Sequence, residues 1–401
     1  MDTATTADEV LSDITSTPCD TPAARQPAPS RPGAAGYRTQ PLQIPLPEQY
    51  WQLTDAELAD RIGAARSALG PRAVILGHHY QRDEIVRFAD FLGDSFKLSM
   101  QAASRRDAQF IVFCGVHFMA ESADILSGAD QQVILPNLEA GCSMADMADL
   151  DSVEACYQDV ENVCGPGALP VAYVNSAADL KAFCGRHGGA VCTSSNAGAI
   201  LSWALERSDR VLFFPDEHLG RNTARQLGIE PDRTIVWDPA RPLGGNDPAA
   251  LRRARLILWN GRCSVHMRFT TGQIASARER YPDINVIVHP ECRAEVVLAA
   301  DAVGSTELIV KRIAESPAGS RWAVGTEINL VNRVAKEHPD KQVFCLDPVV
   351  CPCSTMYRIH PAYLLWSLES LLAGEVVNRI AVAPEVAHWA RLALTRMLEI
   401  A

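Results

Sequence analysis

Three cysteines, two histidine clusters and one glutamate stand where this sequence can do chemistry. Cys142, Cys263 and Cys353 each follow a β-branched run, in VILPNLEAGC, LILWNGRC and VFCLDPVVCPC, within loops that carry Gly or Pro. They lie far apart in the chain, unlike the paired CxxC ligands of a compact zinc site. Position links them, because each is a strand-end thiol open to a soft metal. Three thiolates on a four-iron cubane leave one iron without a protein ligand, and an open iron acts as a Lewis acid on a hydroxyl or carboxylate oxygen. Three unrelated loop thiols are the plainer alternative. Cys351 competes with Cys353 as the third member, and the CPC pair can equally form a strained disulfide or a redox switch.

The neutral donors fall at other strand ends. His78, His79 and Tyr80 close the run ILGHHYQ, and His289 and Glu291 close VIVHPEC. Imidazole and phenol groups there suit a developing oxyanion or a carboxylate, and Glu291 suits a general base. Glu291 is equally placed to begin the next helix, where an acidic group is favoured by the dipole. Tyr173 and Asn175 alternate along one run and so share a face. Ser95 in GDS, Ser194 in CTSSNA, and Ser305 and Thr306 in GST fall where helices begin; hydroxyls and N–H groups there either cap the helix or hold a phosphate or carboxylate.

Parallel α/β units are the elements that bring strand-end residues together. Strand-like runs begin at Ala73, Phe110, Gln132, Pro170, Ala190, Arg210, Arg255, Asn285, Asp301, Trp322 and Gln342, with helical stretches between them. That alternation predicts βαβ units around parallel sheets, too many for one small sheet. Polar ends recur in threes: GHHYQ, YVNSA and VIVHPEC first, then VFCGVHF, CTSSNA and VGSTEL, then the three cysteine loops. Such ends converge on a crevice at the carboxyl edge of parallel strands. A helix is expected over Thr54–Leu69, with Thr54 as N-cap and Gly70 as its stop. Residues 1–45, rich in Thr, Ala, Pro and Ser, read as a disordered leader in which Cys19 is incidental.

Composition bounds the partners. With 401 residues and 47% hydrophobic content the chain can build a core of two or three domains. A net charge of −11 and a pI near 5.4 argue against nucleic acid or an anionic membrane, either of which favours a basic face. No apolar run is long enough to span a bilayer and the acidic N-terminus has no signal-like apolar stretch, so the cytoplasm is the expected compartment. Twelve cysteines in a reducing compartment are core residues, ligands or redox thiols rather than a disulfide framework. Cys114, Cys156, Cys164, Cys184, Cys192, Cys292 and Cys345 lie within strand-like or helical stretches and read as core.

The ordered set GHHYQ, GDS, VFCGVHFMAES, EAGCSMA, YVNSAA, CTSSNA, GRCSVH, HPEC, GSTELI and CPCSTMYRIHP resembles the quinolinate synthase family from about Ala73 to the C-terminus. The resemblance implies three similar α/β domains with parallel sheets around a pseudo-threefold axis, with one 4Fe-4S cluster and the active site at their shared centre. Units over 46–165, 166–265 and 266–401 are expected. It implies cluster ligands Cys142, Cys263 and Cys353, the last preferred over Cys351 because Met356 follows it by three. It implies substrate contacts at His78, Tyr80, Ser95, Tyr173, Asn175, Ser194, His289, Glu291, Ser305 and Thr306, with Glu291, Tyr80, His78 and His289 in the chemistry. The implied reaction, a step of NAD biosynthesis, joins iminoaspartate to dihydroxyacetone phosphate, giving quinolinate, phosphate and water. The partners implied are these two substrates and, transiently, the enzyme that supplies iminoaspartate. The CPC element departs from family members that carry CxxCxxC near the end. Two other classes use parts of the same set: a zinc hydrolase on His78, His79 and His289, without any HExxH spacing, and a redox-sensing binding protein with a structural cluster.

Overall fold

The computed structural model describes residues 43–349 and 351–400. The expected leader lies outside them save for residues 43–45, which are irregular backbone, and Cys19 lies outside as well. Thr54 caps the Asp55–Leu69 helix in a reciprocal capping box with Glu57, and Gly70, at φ +55°, ends it.

Fourteen strands among the described residues form three sheets. The first holds β1 (Ala73–His78), β2 (Phe91–Gly93), β3 (Phe110–Cys114) and β4 (Gln132–Ile134). The second holds β5 (Leu169–Tyr173), β6 (Ala190–Cys192), β7 (Val211–Phe214), β8 (Thr234–Trp237) and β9 (Leu256–Trp259). The third holds β10 (Asn285–Val288), β11 (Ala302–Val303), β12 (Arg321–Gly325) and β13 (Gln342–Cys345). A late strand, β14 (Arg379–Ile380), joins the first sheet antiparallel to β4, and every other named pairing is parallel. The eleven expected strands are all present. β2 and β14 escape a reading by β-branched runs because they are short and hold few such residues, whereas β8, TIVW, is itself such a run and was overlooked.

The strand orders are β2-β1-β3-β4, β6-β5-β7-β9-β8 and β11-β10-β12-β13. In each sheet the chain enters on a central strand, steps to one side, and crosses to the other. The reversal places a crevice beyond the carboxyl ends of β1 and β3, of β5 and β7, and of β10 and β12. This topology corrects the expected second echo: VFCGVHF ends a third strand, β3, and its partners are the ends of β7 and β12. The true companion of CTSSNA and VGSTEL is GDS after β2.

Buried apolar strands such as β3, FIVFC, are covered on both faces, as parallel sheets require. The described residues belong to one compact unit. Residues after Cys353 return to the first two sheets. The Pro361–Leu372 helix packs on the Asp55–Leu69 helix, and the Pro384–Ile400 helix lies along the Ala178–Arg186 helix and β6. None of the described helices is long and apolar enough to cross a membrane.

Candidate active site

The first strands of the three sheets end in the residues that line one cavity. His78 ends β1 and Tyr80 follows it, Tyr173 ends β5 and Asn175 follows it, and His289 and Glu291 follow β10; all six line it. Two of these turns are built alike. His78 Nδ1 accepts from Tyr80 N–H (3.1 Å), and His289 Nδ1 accepts from Glu291 N–H (3.3 Å). Burial, followed by the neighbours His79 and Arg333, pushes His78 well below the usual histidine range, and burial pushes His289 down to about 3. Both imidazoles are therefore neutral at physiological pH.

Glu291 is the hub. Its Oε1 accepts from Tyr173 O–H (2.6 Å), and its Oε2 lies 2.7 Å from His266 Nδ1. The other nitrogen of His266 lies 3.2 Å from Thr326 Oγ1, which is 2.7 Å from Tyr80 Oη. His266 also stacks on His289, with ring centroids 4.5 Å apart. Burial works against ionising Glu291, but electrostatic attraction to the neighbouring imidazoles and the hydrogen bonds from His266 and Tyr173 outweigh it and hold the carboxyl at about 2. Burial and then the charge of Glu291 push Tyr80 and Tyr173 up, so both phenols stay protonated donors.

The second strands end in helix starts. Ser95 opens the Ser95–Ser104 helix, Thr306 opens the Thr306–Glu315 helix, and Thr193 and Ser194 precede the Ala197–Leu205 helix; all four line the cavity. Ser305 instead caps its helix, accepting from Leu308 N–H (3.4 Å). Asp94 caps the first of these helices through Lys97 N–H (2.9 Å) and accepts from Ser195 O–H of the second sheet (2.7 Å). Asn175 Oδ1 is buried with no hydrogen-bond partner, an orphan polar atom at the cavity wall. N–H groups and hydroxyls make a set that receives anions without a lysine or arginine, while the orphan Asn175 Oδ1 is an acceptor open to a donor group of a ligand.

The strands β4, β9 and β13 lead to the cysteines, and the three loops share one turn. A carbonyl at Cys142, Cys263 and Cys353 accepts from the N–H four residues on, at 3.1, 3.1 and 2.9 Å. A short 3-10 helix then follows each: Ala145–Met147, His266–Arg268 and Met356–Arg358. All three thiols are partly buried, whereas Cys351 is exposed. Burial pushes Cys142 up to about 12, opposed by the N–H groups of Ala145 and Met144, with the nearby Cys353 adding to the rise. Cys263 is pushed well up by burial, then by Glu291, Cys142 and Cys353. Three thiols thus lie within electrostatic reach of one another; Cys353 also lines the cavity. Desolvated thiolates that feel one another's charge are unfavourable alone and favourable around a shared cation, so the set fits a thiolate-bound metal group.

Ligand atoms of Cys263, His266 and Glu291 also lie within 4.8 Å of one another. His266 and Glu291 already satisfy each other there. Among the described residues the hydrolase alternative's His78, His79 and His289 form no such group, and His79 Nε2 lies instead 2.9 Å from Glu307 Oε1.

His266 and Thr326 were missed as participants. His266 stands inside GRCSVH, three residues after Cys263, and Thr326 ends β12; recognising the third-strand ends as a set would have pointed to Thr326. Glu327, next to it, accepts from Cys353 N–H (3.2 Å), and burial pushes its carboxyl up to about 7.

Crevices at the switch points of three parallel sheets, an ionised buried glutamate held by His266 and Tyr173, and three thiols within electrostatic reach of one another together define an α/β enzyme with a metal-capable active site. Residues 60–399 match the family model of the quinolinate synthetase A protein. The chain is 59% identical over 361 residues to the quinolinate synthase of Corynebacterium glutamicum, covering 90% of this chain and 92% of that one. It is 55% identical over 352 residues to that of Streptomyces coelicolor, covering 86% and 89%. It is 49% identical over 362 residues to that of Bacillus cereus strain ZK, covering 90% and 98%. This chain belongs to the quinolinate synthase family.

Proposed function

We propose that the protein condenses iminoaspartate with dihydroxyacetone phosphate to quinolinate, releasing phosphate and water, in NAD biosynthesis. The carrying observation is the cavity itself, where neutral donors and three helix starts surround an ionised Glu291 beside three convergent thiols. Cys142, Cys263 and Cys353 would hold one 4Fe-4S cluster. When bound, it supplies a Lewis-acidic iron without a protein ligand, suited to assisting loss of water.

The chain's own residues do the rest. Ser95, Ser194, Ser305 and Thr306 mark the helix starts that receive the phosphate and the carboxylates, with Ser305 fixing its helix as cap. Neutral His78 and His289 donate hydrogen bonds to substrate oxygens without adding charge, and Tyr173 and Asn175 complete that wall. Glu291 takes a proton during carbon–carbon bond formation, with both oxygens aimed by Tyr173 and His266. Tyr80, oriented by Thr326, stands by the reacting carbons as a protonated donor. The three units over 46–165, 166–265 and 266–401 meet around this cavity, the last one sending its C-terminal helices back onto the first two. We assign the protein to the cytoplasm, with a transient supplier of iminoaspartate as its partner.

Anaerobically purified protein is expected to hold about four iron and four sulfide per chain and to form quinolinate from the two substrates. Colourless zinc-loaded protein with full activity would remove the cluster. Iron and sulfide without iminoaspartate-dependent quinolinate would leave a structural cluster in a binding protein.

A further inference from the structure

Glu291 lies in a turn, residues 289–293, between β10 and the Ala294–Ala299 helix. The turn closes on a single local backbone bond, Cys292 N–H to His289 O (3.0 Å). A short turn of this kind leaves its remaining carbonyls in need of partners. Those at Pro290 and Cys292, on either side of Glu291, both accept from one side chain: the amide of Asn222, at 2.8 Å each. Asn222 comes from the second sheet's Glu217–Gln226 helix and is only 2% exposed.

We infer that Asn222 is a positioning residue for Glu291, clamping the backbone on both sides of the glutamate from the neighbouring unit. This rests on the reading of Glu291 as the proton acceptor. Asn222 Oδ1 is buried without a partner, so the amide serves at this site as a double donor. The helix that carries it is itself fixed. Asp216 caps it through Leu219 N–H (2.6 Å), and Glu217 N–H donates to Gly261 O (2.9 Å), two residues before Cys263. Asn222 therefore refers the Glu291 turn to the same frame as the Cys263 loop. Tyr173 and His266 aim the carboxylate; Asn222 sets where its backbone stands, and small displacements of a catalytic group are costly.

A double-mutant cycle with iron content measured alongside tests this. Asn222→Asp keeps the shape but loses both donors, and Asn222→Ser, smaller, is the second variant. Each is expected to lower kcat about 10- to 100-fold, with KM changed less than about threefold and iron retained. In a Glu291→Gln background, the same changes should cost less than about twofold more, because they act through the group already disabled. An equal loss in both backgrounds, or wild-type kcat in the single variants, would overturn the assignment. Loss of iron or soluble protein in both variants would make Asn222 a folding residue and overturn it too. Wild-type turnover in Glu291→Gln alone would instead overturn the reading of Glu291 and take the clamp's purpose with it.

Discussion

Cys351 and Cys353 are two positions apart, yet Cys353 occupies the turn that Cys142 and Cys263 share. Cys351 precedes that turn and is exposed. If turn geometry selects the ligand, Cys353→Ser should lose nearly all iron and sulfide, because a hydroxyl replaces a soft thiolate poorly on iron. Cys351→Ser should keep most of both. Iron and sulfide assays on the two variants decide it, and the reverse pattern would move the ligand to Cys351. At this scale the sequence was legible where a residue's type and its place at a strand end were enough to set it at the cavity, as for Cys353, His78 and Glu291. It was silent on His266 as a partner of Glu291, because that role comes from a 2.7 Å contact between loops after different strands.

Elements carry the repeat, and one short element hid part of it. β2 is three residues long and half-buried, so it lacks the apolar run that marks β1 or β3. Without it the threefold register slipped by one strand in the first sheet, and GDS lost its place beside CTSS and GST. The longer strands and the Asp55–Leu69 helix were readable because they join a sustained pattern to a recognisable cap. Close packing of elements was not readable. Gly185, on the Ala178–Arg186 helix, shows why: a methyl group there would sit 1.9 Å from the carbonyl oxygen of Trp389 on the Pro384–Ile400 helix. Backbone cannot yield as a side chain end can, so Gly185→Ala should destabilise the protein by about 1–3 kcal/mol. A thermal melt would show it as a drop in Tm, and an unchanged Tm would mean that the two helices separate freely.

Over the whole molecule, the residues of the site are also the ties between sheets. Asp94 with Ser195 joins the first to the second. His79 with Glu307, and Asn329 donating to Tyr80 O (3.2 Å), join the first to the third. Tyr173 with Glu291, and Asn222 with its two carbonyls, join the second to the third. The C-terminal segment fastens the assembly further. Asn378 donates to Pro136 O (2.6 Å), β14 covers the edge of β4, and Asn196 of the second sheet donates to Met397 O (3.0 Å). A chain ending at Val377 would bare the edge of β4 and the apolar face of the Ala178–Arg186 helix. It should therefore lose most of its soluble yield, measured against the full chain. A soluble truncated protein with native Tm would show this segment to be dispensable.

That fastening sets the order in which the protein can be made. A chain emerging N-terminus first normally completes its domains in sequence, each able to fold as it leaves the ribosome. Here the first sheet waits for Arg379 and Ile380, and the second for the helix at 384–400, all translated long after the strands they cover. Early-made strands spend most of synthesis beside an uncovered edge, where nascent-chain chaperones have most to protect. The Cys353 turn also follows β13, so any metal shared by the three thiols is loaded only after the strands β1 to β13 have been made.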